Sequence, residues 1–304
     1  MPTHPSAARQ TLMSPRFWLA DSEPMRPART DVRADVVSMP AKAAHIERDA
    51  LAARVLRGLL DDEFELAFQG IYNPVTGALC SVEALVRWIH PEYGLLAPSA
   101  FFVTMENPLV ARELTDFVIA RACEHLGERQ RSGRAVCPIA INVPPSVAAA
   151  PNFIAHLQRV LAHYGTDPSM LEIELSESED AMLFLGSPAK TRALRSMGVK
   201  LALDDFGTGY SSLSTLSIMD FDTVKIAREL VVAVPDSPRA CAVLAGVLSM
   251  LERLNTRVVV EGVETDAQAR WLTQWPNVLM QGFLWGKPRI GLHNVAPASA
   301  ASVS

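Results

Sequence analysis

The chain has 304 residues, 49% of them hydrophobic, which is enough for one large domain with a sizeable core or for two modest domains. The formal net charge of −5 provides no general attraction for nucleic acid, and no helix-turn-helix pattern is present, so direct DNA binding is not expected. Four scattered cysteines without a C-x-x-C pair exclude a zinc finger and a disulfide framework.

No apolar run is long enough to span a bilayer, and the N-terminus lacks the apolar core of a signal peptide, so we expect a soluble cytoplasmic protein without membrane contact. Residues 1–41 are rich in proline, arginine and alanine and predict a disordered arm. A tail that binds a partner or DNA is the alternative, but its acidic and basic residues nearly cancel. Residues 291–304 predict a disordered Ala/Ser tail, which leaves one domain over residues 42–290.

Helical and strand periodicities alternate along that domain. A lead-in helix is predicted over residues 42–60, followed by two strands over 64–71 and 80–88. Further helices are predicted over residues 111–131, 152–164, 180–197, 239–254 and 266–274. They alternate with strands over residues 135–143, 171–175, 201–205, 222–226, 257–260 and 278–281.

Strands that alternate with helices predict a mainly parallel sheet. Eight strands in this order predict a closed TIM-like (β/α)8 barrel of the α/β class. An open doubly wound sheet is the alternative, and it is disfavoured because no glycine-rich phosphate loop follows the first strand. Polar residues recur at the C-terminal ends of the strands, which is where barrel enzymes place their chemistry. These residues are Asn142, Glu174, Asp204, Lys225, Glu261 and Gln281.

Two strands carry patterns that favour a functional site. The strand over residues 201–205 ends in Asp204 and Asp205, and adjacent carboxylates repel each other unless a cation lies between them. An exposed turn followed by a helix cap is the alternative interpretation. The strand over residues 80–88 has a period of two that places Glu83, Leu85 and Arg87 on one face, where a glutamate and an arginine are costly to bury without partners.

Three motifs occur in order along the chain. Glu83-Ala84-Leu85 lies within an E-x-L-x-R frame, a D-D-F-G-T-G-Y-S-S motif begins at Asp204, and a V-E-G-V-E-T motif contains Glu261. Together they resemble the EAL family, whose members are bacterial phosphodiesterases of cyclic di-GMP. The resemblance runs from about residue 47 to about residue 288. It implies that the first strand is antiparallel to the others.

The resemblance implies a two-metal site for phosphodiester hydrolysis. Two divalent cations about 3.5–4 Å apart supply an activated water and neutralise charge on the phosphate. Mg²⁺ and Mn²⁺ prefer oxygen ligands, which this chain offers from five strands. Each residue alone is more often a surface or capping residue. The implied metal positions are Glu83, Asn142, Glu174, Asp204, Asp205 and Glu261, with Asp204 bridging the two ions.

The resemblance also implies roles for individual residues. Lys225 is expected to have a buried stem and either to pair with one acid or to orient the attacking water. The implied catalytic residues are Glu83, Lys225 and Glu261. The implied contacts with cyclic di-GMP come from Gln69, Leu85, Arg87 and Gln281. Glu177 is expected to anchor a loop that couples metal binding to homodimerisation and contains Phe206, Gly207, Thr208 and Gly209.

Departures from the family pattern, of which Ala227 is the most serious, leave two functions open. Ala227 stands where the family usually has aspartate, on the same strand face as Lys225, and Gly70 replaces a common proline. Loss of the acid is expected to loosen the lysine or the metals. The first hypothesis is a phosphodiesterase that hydrolyses cyclic di-GMP to linear pGpG. The alternative is a catalytically weak or inactive regulator that binds cyclic di-GMP or a partner protein, for example to repress virulence or motility genes.

Overall fold

The computed structural model describes residues 41–295 apart from residues 134, 177–187, 210–212, 214–215, 218 and 276. Within these residues the strands are β1 (Phe64–Tyr72), β2 (Leu79–His90), β3 (Gly94–Leu96), β4 (Ile139–Asn142), β5 (Leu171–Ser176), β6 (Lys200–Phe206), β7 (Thr223–Ile226), β8 (Arg257–Val260), β9 (Val278–Met280) and β10 (Arg289–Ile290).

The helices of the described residues are α1 (Ala41–Leu60), α2 (Pro108–Arg131), α3 (Pro145–Ala148), α4 (Phe153–Tyr164), α5 (Pro188–Met197), α6 (Pro238–Arg253) and α7 (Asp266–Leu272). Short 3-10 turns cover Pro98–Ala100, Phe102–Glu106, Pro168–Met170, Arg228–Leu230 and Leu292–Asn294. None of the described helices combines the length and the apolar character that crossing a bilayer requires.

The strands form one closed sheet. β2 and β4 to β9 are parallel neighbours in chain order, and β1 pairs antiparallel with both β2 and β9. Because β1 bonds to both ends of the parallel run, the sheet is a barrel, and the alternative of an open doubly wound sheet is wrong. The implied antiparallel first strand is confirmed. The short strands β3 and β10 extend the sheet beside β2 and β1.

Alternation along the strands separates two environments. Outward-facing side chains such as Val86 and Trp88 share one large buried cluster with Leu114 and Ile119 of α2. Asn107 caps the start of α2 by accepting hydrogen bonds from the first-turn backbone N–H groups, so this helix begins where the core needs it. A separate small apolar cluster of Ile71, Val259 and Leu279 comes from the inner faces of their strands. The inner face becomes polar toward the C-terminal ends of the parallel strands.

Several predicted boundaries change in the structure. The strand predicted over residues 135–143 is shorter: it covers Ile139–Asn142, and Pro138 and Val143 on either side each add one backbone hydrogen bond to a neighbouring strand. Only residues 188–197 of the helix predicted over 180–197 are described, and they are helical. Leu292, the first residue of the 3-10 turn Leu292–Asn294, is buried, so residues 291–295 belong to the folded part. The predicted N-terminal arm and the rest of the predicted tail lie outside the described residues, apart from Ala41.

Candidate active site

Four carboxylates surround one buried ammonium at the C-terminal ends of the parallel strands. Lys225 Nζ on β7 lies 2.7 Å from an oxygen of Glu261, 2.9 Å from Glu174, 3.0 Å from Asp204 and 3.3 Å from Glu83. The lysine side chain is 2% exposed. A charge buried this deeply requires partners, and here the partners come from four other strands or strand ends. Lys225 therefore forms ion pairs with four acids, whereas the expectation from the sequence was a pair with one.

Amide side chains complete the cluster on the side of β1 and β2. The Asn142 amide donates to one oxygen of Glu83 at 2.8 Å, and the Gln281 amide donates to the other at 2.7 Å. Gln281 also donates to Gln69 at 3.2 Å, and Gln69 in turn donates to the carbonyl of Gly286 at 3.0 Å. The network fixes the orientation of the Glu83 carboxylate and ties the site to the loop that follows β9.

Burial and mutual repulsion raise the pKa of most of these acids. For Glu174 and Glu261, burial raises the pKa well above its usual range, although the Lys225 charge acts in the opposite direction. The pKa of Asp204 is raised for the same reasons. Burial, followed by the charge of Asp204, raises the pKa of Asp205 to about 8. Crowding of these acids therefore favours their protonated forms, because one lysine does not supply enough positive charge to keep all of them ionised.

Glu83 and Lys225 shift in the directions that favour their charged forms. Burial opposes ionisation of Glu83, but Lys225 and the amides of Gln281 and Asn142 outweigh it and lower the pKa of this carboxyl. Burial also opposes the charge of Lys225, yet the surrounding carboxylates raise its pKa well above the usual range. Both groups are therefore charged at neutral pH.

The donor set fits a hard divalent cation. Oxygen atoms of Asn142, Asp204 and Gln281 are buried without a hydrogen-bond partner among the described residues, and such acceptors are costly unless a cation or donor satisfies them. The Asp204 oxygen is paired with the Lys225 ammonium at 3.0 Å, so the two amide oxygens of Asn142 and Gln281 are the stronger sign of a missing cation or donor. In the described part of the chain no three acids, histidines or cysteines form a ready-made metal cluster. The carboxylates are gathered around the ammonium instead.

The strand β2 places its predicted residues as the period of two requires. Glu83 pairs with Gln69 across the β1–β2 ladder, Leu85 is 1% exposed, and Arg87 is buried further along the same face. One guanidinium nitrogen of Arg87 donates to the carbonyl of Val86 at 2.9 Å. Two of the predicted substrate contacts, Leu85 and Arg87, therefore form a row that leads away from Glu83 along β2.

The loop after β6 is described as far as Gly209. Asp205 has a φ of 55° and Gly207 a φ of 100°, so the chain reverses sharply after the paired acids. Phe206 is buried, and the Thr208 hydroxyl donates to the carbonyl of Asp205 at 2.9 Å. A hydrogen bond between the Thr208 side chain and the Asp205 backbone thus stabilises this turn of the loop. The predicted anchor, Glu177, lies outside the described residues.

The family model of the EAL domain matches residues 52–288. The chain belongs to the EAL domain family. Its relatives include the cyclic di-GMP phosphodiesterase NbdA of Pseudomonas aeruginosa, which is 34% identical over 235 residues that cover 76% of this chain and 30% of NbdA. The chain spans about a third of the length of several curated EAL relatives that it matches.

Solved EAL structures share this fold, and the following two were solved as complexes with c-di-GMP. The PaMucR phosphodiesterase in complex with c-di-GMP is 30% identical, with a TM-score of 0.73, and the match covers 80% of this chain and 98% of that one. Klebsiella pneumoniae BlrP1, solved as a calcium and c-di-GMP complex, is 32% identical, with a TM-score of 0.64 over 75% of this chain and 56% of BlrP1.

Two of the departures from the EAL pattern, Ala227 and Gly70, have different surroundings. Ala227 is fully buried, and its N–H donates to the carbonyl of Phe206 at 3.3 Å. Lys225 still has its four carboxylates, so its orientation in this structure does not depend on an acid at position 227. At Gly70, an added Cβ would lie 2.4 Å from the Tyr72 hydroxyl. The Tyr72 ring therefore fills the space beside Gly70 that a side chain would need.

Sequence reasoning missed a second buried polar pair inside the EAL barrel. The Thr223 hydroxyl on β7 donates to the Glu172 carboxylate on β5, and both side chains are buried. Each lies two residues before a member of the cluster, Lys225 or Glu174, on the same strand face. The period of two could have identified Glu172 as inward-facing, but the sequence does not reveal its partner.

Proposed function

We propose that this chain hydrolyses cyclic di-GMP to linear pGpG at the mouth of its barrel. The observation that carries the proposal is the buried ring of acids around Lys225. The naming of NbdA as a cyclic di-GMP phosphodiesterase, and of PaMucR as a phosphodiesterase complex with c-di-GMP, supports the substrate. The reaction consumes one water: a P–O bond to water forms, one phosphorus–O3′ bond breaks, and the released 3′ oxygen takes up a proton.

The proposed site uses two Mg²⁺ or Mn²⁺ ions. When bound, such ions lower the pKa of an attacking water and neutralise charge on the phosphate. The unsatisfied oxygen atoms and the excess of acids support this proposal, as does the calcium in the BlrP1 complex. The residues that would hold the ions are Glu83, Asn142, Glu174, Asp204, Asp205 and Glu261.

The chain's own side chains would orient the substrate and the water. The ammonium of Lys225 can donate to the attacking oxygen and hold it in line with the phosphorus. The planar guanidinium of Arg87 suits a phosphate, because it offers paired donors in a fixed geometry. Leu85 would pack beside the substrate, and the amides of Gln69 and Gln281 would complete its contacts near the catalytic centre.

A second candidate function is a regulator that binds cyclic di-GMP or a partner protein without efficient hydrolysis. Ala227 favours this candidate, because the family's usual acid at this position is missing. The four carboxylates around Lys225 are also compatible with the regulator, since the same acids can hold a ligand without turnover. The two candidates share a binding site and differ only in whether the phosphodiester bond breaks.

We also propose that the active form is a homodimer. The loop residues Phe206, Gly207, Thr208 and Gly209 follow the paired acids directly, so a subunit that braces this loop would also influence the metal positions. Light scattering on the purified chain, with and without Mn²⁺, measures its mass in solution. A strict monomer with full activity would contradict the proposed coupling between dimerisation and the site.

The deciding experiment is a chromatographic assay for pGpG with purified protein, cyclic di-GMP and Mn²⁺. We expect turnover that EDTA abolishes and that Glu83→Gln abolishes without unfolding the protein. Glu252→Gln is the matched control, because it removes one exposed acid outside the site. Arg87→Ala should mainly raise KM. Binding of cyclic di-GMP by the wild type without any pGpG would overturn the enzyme proposal and favour the regulator.

A further inference from the structure

The 3-10 turn Arg228–Leu230 begins three residues after Lys225 and touches two loops that carry acids of the site. Its first and last side chains each cover a glycine. On one side lies Gly262, which follows Glu261 directly, and on the other lies Gly207, two residues after Asp205. This arrangement places one short segment between the two ends of the acid cluster.

Arg228 covers Gly262 closely. A Cβ added to this glycine would lie 2.3 Å from Arg228 Cγ and 2.6 Å from Arg228 Cβ, so the aliphatic stem occupies the position of a missing side chain. The guanidinium then reaches Glu264 at 3.0 Å. The φ of Gly262 is 66°, which lets the chain turn around the arginine immediately after Glu261. The stem and the ion pair therefore hold both sides of this turn.

Leu230 covers Gly207 in the same manner. An added Cβ on Gly207 would lie 2.6 Å from Leu230 Cδ1, and the φ of Gly207 is 100°. The backbone adds a further contact, because the N–H of Ala227 donates to the carbonyl of Phe206. The loop after the paired acids is thus fixed to the residues that directly follow β7.

We propose that Arg228 and Leu230 are positioning residues that set the acid-bearing loops relative to Lys225. Each inserts a side chain into a space that a glycine leaves open, and the three strand ends β6, β7 and β8 are thereby locked at one spacing. The side chains act through Gly207 and Gly262 and need no contact with substrate. The inference rests on the proposed divalent-ion site, because its consequence is the affinity of that site for the ion.

The test compares variants that remove the side chain beside Gly262 or Gly207 with variants that keep a side chain of similar length there. Arg228→Ala and Leu230→Ala remove the covering side chain, whereas Arg228→Met and Leu230→Met retain an unbranched apolar stem. Val232→Ala is the matched control, since this side chain is 61% exposed and lies just beyond the turn. We measure the Mn²⁺ concentration that gives half of the metal-induced rise in Tm, and the Tm in EDTA. Neither readout requires turnover.

We expect the two alanine variants to raise the half-effect Mn²⁺ concentration by about 10-fold to 100-fold, the range typical of residues that orient metal ligands. Arg228→Met and Leu230→Met should recover most of that loss. An alanine variant with a lower Tm in EDTA but an unchanged half-effect concentration would show a structural role only and overturn the proposal. If turnover is observed, kcat should fall more than KM rises.

The proposed function and this inference fail in different ways. A wild-type chain whose Tm does not respond to Mn²⁺ contradicts the divalent-ion site, and the positioning proposal falls with it. A wild-type chain that responds to Mn²⁺ together with alanine variants that respond equally well contradicts the positioning proposal alone. Equal loss in Val232→Ala would also contradict it, because that residue covers neither glycine.

Discussion

The ion-pair cluster makes a quantitative prediction for Lys225→Met. The ammonium lies 2.7–3.3 Å from four carboxylates, and the lysine side chain is 2% exposed. One such pair is worth about 5 kcal/mol at an effective dielectric constant of about 20, but desolvation of the charges offsets much of the total. Removing one partner of a buried ion pair costs about 3–5 kcal/mol, because the charges that remain lose their counter-charge. We expect the free energy of unfolding to fall by that amount in EDTA.

Mn²⁺ should reverse much of this loss, because the ion supplies the missing positive charge. A ligand present at 100 times its Kd adds about 2.7 kcal/mol to the stability of the folded state. The assay is urea denaturation followed by circular dichroism, with EDTA or with Mn²⁺. Lys287→Met is the control: its lysine is exposed and its ammonium lies 5.1 Å from the centre of the Phe283 ring, so its stability should change by no more than about 1 kcal/mol.

Two outcomes would refute this reasoning. If Lys225→Met is as stable as the wild type in EDTA, the four carboxylates do not depend on the ammonium for their stability. If Mn²⁺ stabilises Lys225→Met no more than it stabilises the wild type, the ion does not enter the position that the ammonium leaves. Either result would separate the acid cluster from divalent-ion binding.

Three further predictions concern positions outside the cluster of Lys225 and its four carboxylates. Gly70→Ala should cost about 1–3 kcal/mol in urea denaturation, because its Cβ would meet the Tyr72 ring, whereas Gly246→Ala in an uncrowded part of α6 should gain about 0.5–1 kcal/mol. Burial lowers the pKa of His125, so the folded state binds a proton here less readily than the unfolded chain does. The free energy of unfolding should therefore decrease as the pH is lowered below about 6.5. His125→Leu should reduce this pH dependence in urea titrations. Ala227→Asp should raise the rate of pGpG formation at saturating Mn²⁺ by about 10-fold, and an unchanged rate would contradict a role for an acid there.

The barrel was predictable because its strands carry strong local signals. The alternation in β2 puts Glu83, Leu85 and Arg87 on the inner face, as the sequence predicts, since side chains of a strand point to opposite faces in turn. The order of helices and strands likewise limits the topology to a few choices. The antiparallel direction of β1 was expected from family resemblance rather than from periodicity.

The short elements were not predictable for a physical reason. Strands β3 and β10 have three and two residues, too few to show any period, and they exist only because β2 and β1 offer them backbone partners. The start of β4 was misplaced because the apolar run continues upstream through Cys137 and Pro138, and Pro138 contributes only its carbonyl, which accepts from the N–H of Val82 at 3.0 Å. Such boundaries depend on pairing partners that are distant in the sequence.

The partners of Lys225 show what local sequence leaves open about the site. A lysine at the end of an apolar strand predicts a buried stem, yet only the closed barrel determines that four acids converge on it. The same convergence changes the meaning of Ala227. While the four carboxylates surround the ammonium, they hold Lys225 in place. An acid at position 227 then adds little to the orientation of the lysine. If divalent ions take those carboxylates, the ammonium loses its partners, and the missing acid then matters most. The effect of Ala227 therefore belongs to the metal-bound state, which is why its test is a rate at saturating Mn²⁺ and not a stability in EDTA.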